Sequence, residues 1–169
     1  MTIYILSSLQ VLYNSQYRNG LMEINQSLER LSHLVNIIPP LISKIPEEEF
    51  NLNPAPGKWS KKQILGHLLD SAANNHQRFV RIQFENVPSI YYDQDNWNLY
   101  NHHQDLSKKH LIDFWIIYNT HLIQLVARIP AENLERKGKG KDGSLNSLSW
   151  YIEDYVKHME HHLKQIVNY

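Results

Sequence analysis

The chain has 169 residues, 42% hydrophobic and 20% charged, and its 17 Lys+Arg are balanced by 17 Asp+Glu. That size and composition suit one soluble globular domain with a buried core, and zero net charge excludes the positive field expected of a nucleic-acid or anionic-membrane binder. There is no cysteine, so disulfides, thiolate nucleophiles and thiolate ligands are ruled out, and any metal site must use His, Asp, Glu or water.

Residues 1–21 contain a short apolar run with no positive region before it and no small-residue cleavage pattern after it. A signal peptide or a membrane span is not expected, and a cytoplasmic location is. Met22 opens the first clear helical pattern, so residues 1–21 read as an N-terminal extension or an upstream start, and residues 22–169 as the domain. Helix one is expected from about Met22 to Ile45, with Ile24, Leu28, Leu31, Val35, Ile38 and Ile42 at helical spacing. Pro39 and Pro40 should kink or restart it, since each lacks an N–H donor.

The tract NLNPAPGKWS reads as an extended connector, with Ser60 as the N-cap of helix two, about Lys61 to Phe84. The aromatic-rich stretch from Glu85 to Ser107 has weak helical character and the length of a functional loop; His102 and His103 within it are expected at the surface. Helix three is expected from about Lys108 to Ile129, stopping at Pro130. The run KGKGKDG lacks the spacing of a phosphate-binding loop and reads as a solvated, mobile loop before helix four, about Leu145 to Val167. No strand-period alternation competes with these patterns. Four amphipathic helices of similar length predict an all-α four-helix bundle with a long aromatic loop between helices two and three.

Helical phasing separates the histidines. In DYVKHMEHHLKQI, His158 and His162 lie within about 40° of each other at the edge of the apolar arc, beside Tyr151 and Tyr155. His161 falls with Lys157, Glu160 and Lys164 on the charged side. A histidine pair at i and i+4 can aim at one point, and a third from another helix would complete a three-nitrogen metal site. The plainer alternative is a pair of core-edge histidines bonded to tyrosines or backbone. HMEHH is not the HExxH pattern of zinc proteases. On helix two, His67, Ser71, Asn74 and Arg78 form a polar stripe beside the core arc, which marks either a cleft wall or the border of the solvent face. Asp154, one turn before His158, suits an outer acceptor for that imidazole or an exposed ion pair. Asn119 lies on the apolar face of helix three and calls for a buried hydrogen-bond partner, preferably on another helix.

The segments PGKWSKKQILGHLLDSAANNHQRF, VPSIYYDQDNW and DYVKHMEHHLKQI, in that order, resemble the DinB superfamily and within it the YfiT-like branch; the likeness covers about residues 22–169. The resemblance implies an up-down-down-up bundle and one divalent ion, nickel or zinc, held by His67, His158 and His162, with His161 as a non-ligating companion. It implies metal-dependent hydrolase activity, or transfer of a low-molecular-weight thiol to a small-molecule substrate, and a possible homodimer. Asp70, Asn74, Arg78, Asp154, Tyr155 and the Tyr-Asp-Trp loop become candidate outer contacts or substrate contacts. Ala72 stands where the branch has a further histidine, which bears on the substrate. The competing class is a non-catalytic metal-binding or interaction bundle, in which the ion only pins helices together.

Overall fold

The protein is described by a computed structural model that gives the backbone of residues 2–169 and the side chains of residues 22–169. The reading of residues 1–21 as an appendage therefore concerns side chains outside the described set. Four long helices form the bundle: α1 (Thr2–Ser43), α3 (Lys61–Arg81), α5 (Lys108–Val126) and α6 (Leu148–Ile166). Two short helices, α2 (Glu47–Asn51) and α4 (Gln94–Tyr100), lie in the connections. Among the described residues no helix is long and apolar enough to cross a membrane.

The helix starts follow from local chemistry. Ser60 and Gln63 form a capping box on α3, with Ser60 Oγ accepting from Gln63 N at 3.1 Å and Gln63 Oε1 from Ser60 N at 2.8 Å. Ser107 caps α5 and Ser147 caps α6 in the same N3 register. Helix α1 departs from expectation, since it runs through Pro39 and Pro40 to Ser43 without restarting. Each proline removes a donor to the carbonyl four residues back, but only three helical residues follow Pro40, and Ser43 Oγ donates to the Pro39 carbonyl.

The KGKGKDG segment also departs from expectation. It forms an antiparallel hairpin of β1 (Lys137–Lys139) and β2 (Leu145–Ser147), so α6 begins at Leu148 rather than Leu145. The hairpin is tied to the chain after α3, with Lys139 N donating to Pro88 O at 2.9 Å. A Cβ on Gly138 would lie 2.6 Å from Ile82 Cδ1, so any larger residue there would have to displace that buried side chain.

Packing places the helices in the ring α1–α5–α3–α6, so α1 is diagonal to α3 and α5 to α6. Lys108 at the start of α5 donates to the Ile45 carbonyl beyond the end of α1, which makes those two antiparallel. Arg78 late in α3 lies over Tyr151 early in α6, while His67 early in α3 meets His158 late in α6, so this pair is antiparallel too. Lys62 bonds Gln104 O before α5, and His76 meets Tyr118 within it, so α3 and α5 run parallel. The result is up-down-down-up. The core between the helices includes Leu34, Phe79, Trp115 and Tyr155, all fully buried. Asn119 finds the inter-helix partner its position required, since Tyr155 Oη donates to its Oδ1 at 2.6 Å.

His102 is exposed as expected, but His103 is buried, contrary to expectation. His102 adopts φ 52°, which turns the chain so that His103 lies against Gly66 and its Nε2 reaches Asp70 Oδ1 at 2.8 Å. A Cβ on Gly66 would sit 2.6 Å from the His103 ring.

Candidate metal centre

His67 points from the second turn of α3 into the groove against α6, where His158 and His162 project from adjacent turns. His67 is buried, while the other two are partly open to solvent. One nitrogen of each lies within 4.8 Å of the other two, and His67 Nε2 is 3.4 Å from His158 Nε2. Two nitrogens on a tetrahedral ion with bonds near 2.0–2.1 Å stand about 3.3 Å apart, so this pair already has the spacing of one tetrahedral edge.

Electrostatics favour the form a metal needs. Burial, followed by the neighbouring His158 and His162, pushes His67 down to about 3. Burial, then His158 and His161, pushes His162 down to about 4, and burial with His161 and Arg78 lowers His158. Three neutral imidazoles with convergent lone pairs are a fitting donor set for a borderline divalent cation. His161, in contrast, is exposed, as phasing predicted.

The walls are aromatic and polar. The Trp59 ring centroid is 5.0 Å from that of His67, and Tyr92 Oη is 3.4 Å from His67 Nδ1, the atom left over when Nε2 ligates. Burial and Asp70 raise the Tyr92 phenol above its ordinary range, so it stays protonated and can accept from Nδ1–H. The Gln165 amide lies 3.4 Å from His162 Nδ1. Phasing did not single out Trp59, Tyr92 or Gln165 individually. Tyr92 entered only with the Tyr-Asp-Trp loop of the family resemblance, and Gln165 carried a signal in its i+3 spacing from His162.

The other predicted positions divide by environment. Asp70 is buried and accepts from Asn101 and His103, so it anchors the long crossover between α3 and α5; its Oδ2 has no partner among the described residues. Asn74 is buried with Nδ2 likewise unpartnered. Arg78 donates twice to the Ile90 carbonyl and stacks 4.7 Å from the Tyr151 ring; burial lowers its pKa against Tyr151, Asp154 and Tyr92. Asp154 is partly buried, and desolvation raises its pKa against Arg78 and Lys157. Tyr155 is turned into the core, its hydroxyl committed to Asn119.

Comparison with known proteins gives a consistent picture. Two Oceanobacillus iheyensis proteins, OB0413 and OB0782, are each named as an inferred metal-dependent hydrolase. The first is 22% identical over 145 residues, covering 85% of this chain and 83% of its own length. The second is 24% identical over 149 residues, covering 86% and 84%. Among solved structures, YfiT from Bacillus subtilis, described as an inferred metal-dependent hydrolase with an unusual four-helix bundle topology, superposes with a TM-score of 0.77. It is 19% identical, with 85% of this chain and 83% of that one covered. A mycothiol-dependent maleylpyruvate isomerase superposes with a TM-score of 0.70 at 12% identity, covering 85% of this chain and 60% of that one. The DinB superfamily model matches residues 24–166, and the chain belongs to that superfamily.

Proposed function

We propose that His67, His158 and His162 hold one divalent ion, nickel or zinc, and that the chain is a metal-dependent enzyme acting on a small-molecule substrate, by hydrolysis in the first instance. The observation that carries this reading is the convergence of three neutral imidazoles from two antiparallel helices, with His158 and His162 on the solvent side. A bound ion would supply Lewis acidity, bringing the pKa of a coordinated water towards neutrality or holding a coordinated thiol as thiolate. The protein side chains supply the rest. Tyr92 holds the His67 ring by its outer nitrogen, and Trp59 shields that ring from water. Asn74, two turns along α3 from His67, is buried with its amide donor unpartnered among the described residues.

Transfer of a low-molecular-weight thiol is the second reading, favoured by the structural likeness to the mycothiol-dependent isomerase. Since the chain has no cysteine, the sulfur must come from the thiol itself. Elemental analysis of the wild type, His158→Ala and His161→Ala tests the site. One ion per chain is expected in the wild type and His161→Ala and none in His158→Ala; stoichiometric metal in His158→Ala would sink the assignment. A panel of simple esters, run beside a thiol with a model electrophile, separates hydrolysis from transfer. If chelation lowers the melting temperature while no substrate turns over, the non-catalytic metal-binding role replaces both.

A further inference from the structure

A second feature lies beside the histidines and is not used by them. Where the connector into α3, the start of α4 and the end of α6 meet, the surface forms a half-open cavity of about 510 Å³. It shares two residues with the metal centre: Trp59, whose ring is 5.0 Å from His67, and Gln165, whose amide is 3.4 Å from His162 Nδ1. A volume of that order, with apolar walls and a few polar groups, is typical of a small-molecule pocket. Leu52, Trp59 and Ile64 are the large apolar side chains lining it; Ile64 is buried, whereas Leu52 is 65% exposed, an apolar side chain with nothing covering it. The charges on the rim largely cancel: Lys61 is paired with Glu49 at 2.6 Å, and Lys58 and Asp95 bring opposite signs. A strongly charged ligand is therefore not selected here, whereas a flat apolar group is.

We propose that this cavity binds the non-reacting part of the substrate, an apolar ring of aryl size seated on Trp59 and Leu52. The reacting group then turns past Trp59 and Gln165 to the three histidines. This rests on the metal-centre reading above. It assigns Leu52 and Trp59 to substrate selection; helical phasing marks neither, and the histidine geometry marks only Trp59, through its 5.0 Å approach to His67.

Two hydroxamates that grip a metal through the same chelating group provide the test, by calorimetry on the zinc-loaded protein. Acetohydroxamate has no tail, and 3-phenylpropanohydroxamate carries a ring on a short tether that reaches past Trp59. The ring-bearing compound is expected to bind the wild type at least about tenfold more tightly. That gain should fall below about threefold in Leu52→Asp and in Trp59→Leu. Leu52→Asp alters an exposed position and so leaves folding intact, and acetohydroxamate should bind it as it binds the wild type. Equal affinities in the wild type, or a gain that survives both substitutions, would overturn the subsite while leaving the metal centre standing. If neither hydroxamate binds the zinc-loaded protein, the subsite is overturned; if His158→Ala takes up as much zinc as the wild type, the metal-centre reading fails and the subsite falls with it.

Discussion

Metal loading at pH 6 distinguishes a histidine centre that is already neutral from one built of ordinary histidines. An unperturbed histidine with a pKa near 6.5 is roughly three-quarters protonated at pH 6. Two such ligands would release about 1.5 protons on binding an ion. The competition would weaken binding by roughly 1.7 kcal/mol, about 0.84 kcal/mol for each. His67 at about 3 and His162 at about 4 leave almost nothing to displace. Together they carry roughly 0.01 proton at pH 6. His158, shifted in the same direction, contributes less than an unperturbed histidine would.

Zinc titration by calorimetry at pH 6, in two buffers of different ionisation enthalpy, yields the number of protons released directly. Fewer than one is expected, against about 2.3 for three unperturbed histidines. A release of two or more would refute the claim that burial and mutual repulsion neutralise the site before the metal arrives. The desolvation cost of the site is then met during folding, and the ion finds its ligands ready.

That cost has its own signature in the metal-free protein. The unfolded chain binds more protons than the folded one between the depressed and the ordinary histidine pKa, so stability rises with pH across that window and is lost as pH falls below about 6.5 towards the folded value near 3. At pH 5, His67 alone should account for about 2 kcal/mol, measured as the pH 7 to pH 5 drop in urea stability that disappears in His67→Gln. Gly66→Ala should destabilise by about 1–3 kcal/mol, because its Cβ would lie within 2.8 Å of the His103 ring. In a His103→Gly background, which removes the Cβ at 2.8 Å as well as the ring, the same change should cost little, and a double-mutant urea series that shows simple additivity would contradict the contact. Tyr155→Phe leaves Asn119 Oδ1 buried without its donor and should cost about 1–2 kcal/mol in thermal or urea unfolding. Its metal stoichiometry should be unchanged, and a loss of metal would show that Tyr155 supports the centre after all.

Much of this architecture could be read from spacing, and the parts that could not share a physical cause. Periodicity identified the four long helices, and phasing turned His158 and His162 inward while leaving His161 outside. Phasing reports direction from a helix axis but not what stands opposite. Tyr155 and His158 therefore looked alike at the edge of one arc, yet one meets Asn119 in the core and the other meets His67 in the groove. His103 was unreadable for a different reason. Its burial depends on positive φ at His102 and on a missing Cβ at Gly66, 37 positions away, and neither leaves a local pattern. The hairpin was hidden because its strands are three residues long and its first reads Lys-Gly-Lys, far from a strand-forming composition.

The parallel pairing of α3 with α5 ties these pieces to the site. A 21-residue helix rises about 30 Å, so the chain leaving the end of α3 must travel back along the bundle before α5 can start beside the beginning of α3. On that return it passes the histidine groove and fastens itself there. Tyr92 meets His67 Nδ1, Asn98 donates to the Gln63 carbonyl at 2.7 Å, and His103 closes on Asp70. An up-down-up-down bundle with short turns would leave the α3–α6 groove without this wall and His67 without its outer partner. The long crossover is thus a consequence of the topology before it is a feature of the site. It follows that loosening it at Asp70 or His103, neither of them one of the three histidines of the centre, should reach the centre through Tyr92 by freeing the ring orientation of His67.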